Sequence, residues 1–261
     1  MFSVALLRAS SSSRTPWKAV RASPRRAGFE APKEAVQVLH AAAGSVLSRS
    51  LHYNTTESAA APAVFRAPAP DVTSVGTALL FLERWVKAGK SGQSGEPAGL
   101  WTEKELEGSW RLVYSIQKSA QNSLSERLRR GELPSSLRAG LYFPLEARIQ
   151  FSVENHGSVI ARAVTNEAHL PFRLAGIKFA GPWMFEPKQR RLMFDFCEFR
   201  LHLMGATLPR IRIKKWPTSL EALDLKDRRR LPFFTFFFVD SRILAGRGRG
   251  GGLALWARES A

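Results

Sequence analysis

A chain of 261 residues with 44% hydrophobic side chains can build one ordinary domain around its own core, and a single cysteine, Cys197, excludes an internal disulfide framework and any multi-cysteine zinc site. Thirty-nine Lys and Arg against 22 Asp and Glu leave a net charge of +17, which points toward nucleic acid or an anionic membrane surface as a partner. No apolar run approaches the roughly 18 residues that would suggest a membrane span.

Residues 1–67 read as a disordered targeting segment. They are rich in Arg, Ser and Ala, hold nine Lys and Arg against three acids, and reach their first acid only at Glu30. Ser10 to Ser13, Pro24-Arg25-Arg26 and the Ala/Pro run from Ala59 to Pro70 are poor material for a packed fold. Mitochondrial and plastid transit peptides share this composition. The rest of the chain remains basic, at +11.

Residues 68–105 are expected to hold one short helix and a loop. Val75, Leu79, Leu82 and Val86 recur at helical spacing, Ser74 is a candidate cap, and Gly89 a candidate stop before a Gly/Ser loop.

Residues 106–259 read as an all-β domain, antiparallel and closed or nearly so, with little helix. Trp110, Leu112, Tyr114 and Ile116 share one face of a first strand. A short basic helix or excursion follows from Ser123 to Gly131. Leu145 to Glu154 alternates apolar and polar at period two, Asn155-His156-Gly157 turns, and Ser158 to Thr165 returns. Further strands are expected at Phe172 to Phe179, Trp183 to Glu186 and Arg191 to Leu203. In the last the apolar parity switches, which predicts a bulge near Cys197-Glu198. Leu208 to Lys215 is basic and alternating, and Ser219 to Arg230 is a polar connection.

The most informative stretch is Phe233 to Trp256: an aromatic strand, a short apolar strand, a Gly/Arg turn and a last apolar strand. Phe234, Phe236 and Phe238 form one face of the first strand, and with Trp110, Leu112 and Tyr114 they are the candidate ligand contacts. A core role competes with ligand contact at each, because small barrels fill their interiors with side chains. Asp240, Arg242 and Arg247 are the candidate rim, since a carboxylate ending such a run needs a cation or backbone donors.

Catalytic and metal chemistry find little purchase. His156, His169 and His202 lack metal-ligand spacing with one another or with Cys197, and no nucleophile elbow or phosphate-binding loop is present. Asp195 and Asp240 are the best acid–base candidates, and a structural carboxylate is the favoured reading of Asp240. No cofactor and no metal are expected. Arg210, Arg212, Lys214, Lys215 and Arg228 to Arg230 either meet anionic headgroups or form a solvated face. The run Gly246-Arg-Gly-Arg-Gly-Gly-Gly252 supplies the competing class, a basic nucleic-acid-binding β-domain.

Gly108-Ser-Trp-Arg-Leu-Val-Tyr-Ser115 resembles the opening motif of the plastid lipid-associated protein, or fibrillin (PAP/fibrillin), family. Val239-Asp240, the apolar pair after it and Gly246-Arg247-Gly248 resemble that family's closing motif, and Phe185-Glu-Pro187 a mid-domain element. The resemblance spans about Leu106 to Arg258 and departs at Leu244, where the family usually has arginine. It implies a lipocalin-like barrel that is not an enzyme and that binds or organises apolar lipid, carotenoid or prenylquinone. The implied setting is peripheral, on chloroplast/plastid membranes (thylakoid) or a plastoglobule; the mitochondrion is the alternative that the leader composition leaves open.

Overall fold

A computed structural model describes residues 29, 31–54, 69–88, 102–130, 140–142, 146–156, 159–170, 174–217 and 219–259. Eight antiparallel strands close on themselves: β1 (Gly108–Ile116), β3 (Glu146–His156), β4 (Val159–His169), β5 (Ala175–Glu186), β6 (Arg191–Phe194), β10 (Phe233–Val239), β11 (Ile243–Gly248) and β12 (Leu253–Arg258). Each pairs with the next in that order, and β12 returns to β1. Closure gives every barrel strand a paired neighbour on each side. This is the all-β, antiparallel, closed domain that the strand patterns predict, and its general shape is lipocalin-like, as the family resemblance implies.

The interior is a packed core. Trp110, Phe151, Trp183, Leu192, Phe236 and Leu244 are buried to within 2% of full exclusion from solvent. Phe234 stacks on Phe194 at 5.4 Å between ring centroids and meets the edge of Trp256 at 5.3 Å. Phe151 meets Trp183 at 5.6 Å. Such rings dominate core energetics and favour these stacked and edge-on contacts.

Gly246 makes this packing possible. A Cβ there would stand 2.6 Å from Phe236 Cδ1 and 3.2 Å from the Thr235 carbonyl. The ring is held by Phe234 and Trp256 and has nowhere to retreat. Gly246→Val is therefore expected to cost about 2 kcal/mol through overpacking, read as a lower urea midpoint at unchanged m.

Two β-bulges correct the predicted faces. The β1–β12 register slips between Leu112 and Tyr114, and the β10–β11 register slips between Phe236 and Phe238. Each extra residue turns the following side chains over. Trp110, Leu112, Phe234 and Phe236 point inward, while Tyr114 and Phe238 lie on the outer face with Val113, Ile116 and Phe237.

Helices cover that outer face. α1 (Pro32–Asn54) and α2 (Val72–Lys87) pack on each other and on β1, β10, β11 and β12. Ala35, Leu39, Ala42 and Ala43 are buried against the cluster formed by Val75, Leu79, Ile243, Leu255 and Ala257. The expectation of a disordered segment running to residue 67 is thereby corrected for 32–54: an ordered helix there belongs to the core. The other parts of 1–67 lie outside the described residues, Phe29 and residue 31 apart. The α2 cap is Asp71, not Ser74; its carboxylate accepts the Thr73 N–H at 3.0 Å. Tyr114 donates to the Val72 carbonyl (2.9 Å) and Tyr142 of β2 (Leu141–Tyr142) to the Pro70 carbonyl (2.6 Å), tying the start of α2 to the sheet.

A short α3 (Glu103–Leu106) inserts Leu106 into one end of the barrel. Trp110 Nε1 donates to the Leu106 carbonyl at 2.8 Å, and the Arg258 guanidinium lies over the Trp110 ring at 4.0 Å. That end is stoppered. The excursion expected at 123–131 is helix α4 (Lys118–Arg130).

The strand expected over 191–203 breaks at Asp195 to Cys197 into β6 and β7 (Glu198–Leu203). Both pair along β5, which runs unbroken where two strands were expected: β6 with Trp183–Glu186, β7 with Ala175–Ala180. β5 thus belongs half to the barrel and half to a flared wing. β7 turns into β8 (Ala206–Thr207) and is paired again by β9 (Ile211–Arg212). A four-residue α5 (Leu225–Arg228) lies in the polar connection back to β10.

Candidate lipid-facing site

The three rim residues do not form one latch. Asp240 is at the stoppered end, where Oδ1 accepts the backbone N–H groups of Arg242 (2.7 Å) and Ile243 (2.8 Å) and Oδ2 lies 2.7 Å from His40 Nε2 of α1. Its partners are backbone donors and a histidine; the expected guanidinium of Arg242 or Arg247 is corrected. Arg247 is at the far end of β11, where Nε and Nη2 donate to Glu83 of α2 at 2.6 Å each, Nη2 also to Gln121 Oε1 at 3.0 Å, and Nη1 to the Gly251 carbonyl. The Gly/Arg run is the β11–β12 hairpin, with Arg249 donating to the carbonyls of Arg230 and Leu231. Its arginines are occupied in holding the fold.

The wing carries the surface that sequence reasoning did not assemble. The register places Ala175, Ile177 and Phe179 of β5 beside Leu203, Leu201 and Phe199 of β7, with Ile211 opposite Phe199. Alternation puts these on one face, continuous with the barrel's inner face. Rings bridge the two: Phe194 to Phe196 at 5.1 Å, Phe196 to Phe179 at 5.4 Å, Phe179 to Phe199 at 6.0 Å. The apolar track runs from the core out into solvent.

At its outer end the track is uncovered. Leu203 and Ile213 are half exposed, Leu174 and Ile211 similarly so, and Met204 is 80% exposed. Met204 and Gly205 form a two-residue hairpin loop between the paired Leu203 and Ala206, with φ of 48° and 84°. A loop with both residues at positive φ suits Asn-Gly; a methionine there accepts backbone strain and exposes its thioether. Contiguous exposure of this kind marks a contact surface.

The opposite face of the same ribbon is polar and basic. Arg210, Arg212, Lys214 and Lys215 surround a concavity of about 310 Å³ with Cys197, Glu198 and Trp216. Lys214 Nζ contacts Asp195 Oδ1 at 2.6 Å and Arg210 Nη1 contacts Glu198 Oε2 at 3.3 Å. Burial pushes the Cys197 thiol up, and the Asp195 charge adds to this, so the thiolate required of a nucleophile is disfavoured there.

The wing also brings His169 and His202 together over Gly176, with ring centroids 5.6 Å apart. Thr207 Oγ1 lies 3.0 Å from His202 Nδ1. Among the described residues no group of three or more His, Cys, Asp or Glu side chains is arranged to hold a metal ion. His156 has a described backbone only. No helix among the described residues is long and apolar enough to cross a membrane. No known family model matches the sequence, and neither a curated protein nor a solved structure matches it.

Proposed function

We propose that this chain is a non-catalytic lipid-binding protein that works at a membrane or lipid-droplet surface, with the wing as the part that meets lipid. The supporting observation is the apolar track: it begins among the rings of Phe194 and Phe234 and ends at Leu203, Met204 and Ile213 in water. Transfer of such side chains into an acyl environment is favourable by about 1.5–3 kcal/mol for each one fully buried. Phe194 and Phe196 join the packed interior, where Trp110 and Phe236 lie, to the wing. The resemblance to fibrillins agrees with this reading and supplies the setting, a plastid membrane or plastoglobule, and the ligand class, apolar lipid or prenylquinone.

Sedimentation of the full chain with phosphatidylcholine vesicles tests the proposal. Replacing Leu203 and Met204 by Asp is expected to weaken partitioning at least tenfold, since two charges would enter the apolar layer. Both sites are exposed, so the substitutions leave thermal stability near that of the native chain. Equal binding by the variant and the native chain would contradict the assignment.

A further inference from the structure

We infer that the concavity on the wing's basic face receives the phosphate of an anionic lipid headgroup while the opposite face lies against acyl chains. This rests on the lipid-surface reading and gives it a headgroup preference.

Register and charge carry the inference. Arg212 of β9 stands opposite Glu198 of β7, so the side chains of both leave the ribbon on the face away from Ile211 and Phe199. Four cations meet two carboxylates around this hollow, and the pairing is uneven. Glu198 holds Arg210 and Asp195 holds Lys214, whereas Arg212 and Lys215 have no carboxylate within ion-pair reach among the described residues. Two engaged cations thus frame the hollow and two free ones are left to meet an anion. Guanidinium and ammonium groups so placed give charge-assisted hydrogen bonds to phosphate oxygens.

The floor is compatible with an anion. The Cys197 carbonyl is consumed by the N–H groups of Ile213 (2.8 Å) and Lys214 (3.1 Å), which also fixes the loop that presents the cations. The thiol stays neutral, as its raised pKa requires.

The occupant follows from what lies across the ribbon. A free phosphate compound would have no use for the uncovered Leu201, Leu203 and Ile211 behind the pocket. A phospholipid uses both faces. Trp216, 40% exposed at the rim, has the amphipathic ring that settles at the boundary between headgroups and acyl chains.

The experiment compares the full chain on vesicles of phosphatidylcholine alone, with phosphatidylglycerol, and with phosphatidic acid, adding glycerol 3-phosphate as a soluble competitor. The native chain is expected to bind both anionic vesicles at least tenfold more tightly than phosphatidylcholine. Arg212→Gln with Lys215→Gln removes that difference, so that the variant binds the neutral and anionic vesicles alike. Arg229→Gln with Arg230→Gln, an equal loss of charge outside the hollow, retains most of it. Equal losses from the two pairs would mean diffuse attraction to the surface and overturn the pocket. Full displacement by millimolar glycerol 3-phosphate would make a soluble phosphate the ligand and overturn the lipid assignment. Equal binding to neutral and anionic vesicles sinks this inference and leaves the lipid-surface reading standing; failure to bind any vesicle sinks both.

Discussion

A chain that begins at residue 68 is expected to melt about 10 °C below one that begins at residue 28. The longer form keeps α1, whose Leu39 and three alanines are buried among Val75, Ile243 and Leu255, with Val36, Val46 and Leu47 packed at the margin. Removing that helix strips apolar cover from β1, β11, β12 and α2. Each well-buried aliphatic side chain contributes about 1.5–3 kcal/mol, and the ordering entropy of the helix offsets much of the sum. A net loss on the order of 4 kcal/mol corresponds to a drop of that size for a domain of this length. The truncation also strands Asp240, which loses His40. Matching melting temperatures would show that α1 adds nothing to the core. A cut at residue 67, where the targeting segment was expected to end, would take part of the core with it, whereas a cut before Phe29 would leave α1 and the Phe29–Phe81 contact in place.

Arg247→Leu is expected to cost about 3 kcal/mol, because it leaves Glu83 buried with Lys87 as its remaining cation. The Glu83 carboxylate is 7% exposed, and Lys87 is largely in solvent. Burial pushes Glu83 up, but hydrogen bonds and charge from Arg247 and Lys87 outweigh it and hold the carboxyl below its ordinary 4.5. A carboxyl depressed in the folded state stabilises the fold fully above that ordinary value, and the contribution disappears as pH falls through the lower folded one. The native chain should therefore lose stability on acidification below about pH 4.5, and Glu83→Gln should remove part of that loss. Urea midpoints between pH 7 and pH 3.5 measure both effects. An Arg247→Leu midpoint equal to the native one, or an acid limb unchanged in Glu83→Gln, would show the clasp to be energetically idle.

What could be read from the residues depended on whether polar positions mark the faces. β3 was legible because Ala147, Ile149 and Phe151 alternate with Arg148 and Gln150. β10 was legible as a strand, but Phe236-Phe237-Phe238 is apolar at every position and hides the parity change at its bulge. Leu112-Val113-Tyr114 hides the other one in the same way. Unbroken alternation puts Tyr114 on the face of Trp110 and Phe238 on the face of Phe234; the bulges turn both outward.

α1 was missed for a different reason. Its buried positions, Ala35, Leu39, Ala42 and Ala43, fall at helical spacing, yet three are alanines and carry little hydrophobic weight. Their burial depends on the close approach of α2, which no local pattern reveals. The alternation of Arg210, Ile211, Arg212, Ile213 and Lys214 did show a ribbon with a basic face. It could not show that the apolar face would be left uncovered, because that depends on what the fold places opposite.

The wing's contact with lipid is tested most directly by a nitroxide at position 204, in full-length chain carrying Cys197→Ala and Met204→Cys, with a second label at Arg190→Cys in the β5–β6 turn as reference. On anionic vesicles the label at 204 should become accessible to oxygen and shielded from a water-soluble relaxant, while the label at 190 stays in water. A label at 204 that remains as exposed to the water-soluble relaxant with vesicles as without them, under conditions where the protein sediments with lipid, would contradict the wing as the lipid-facing surface.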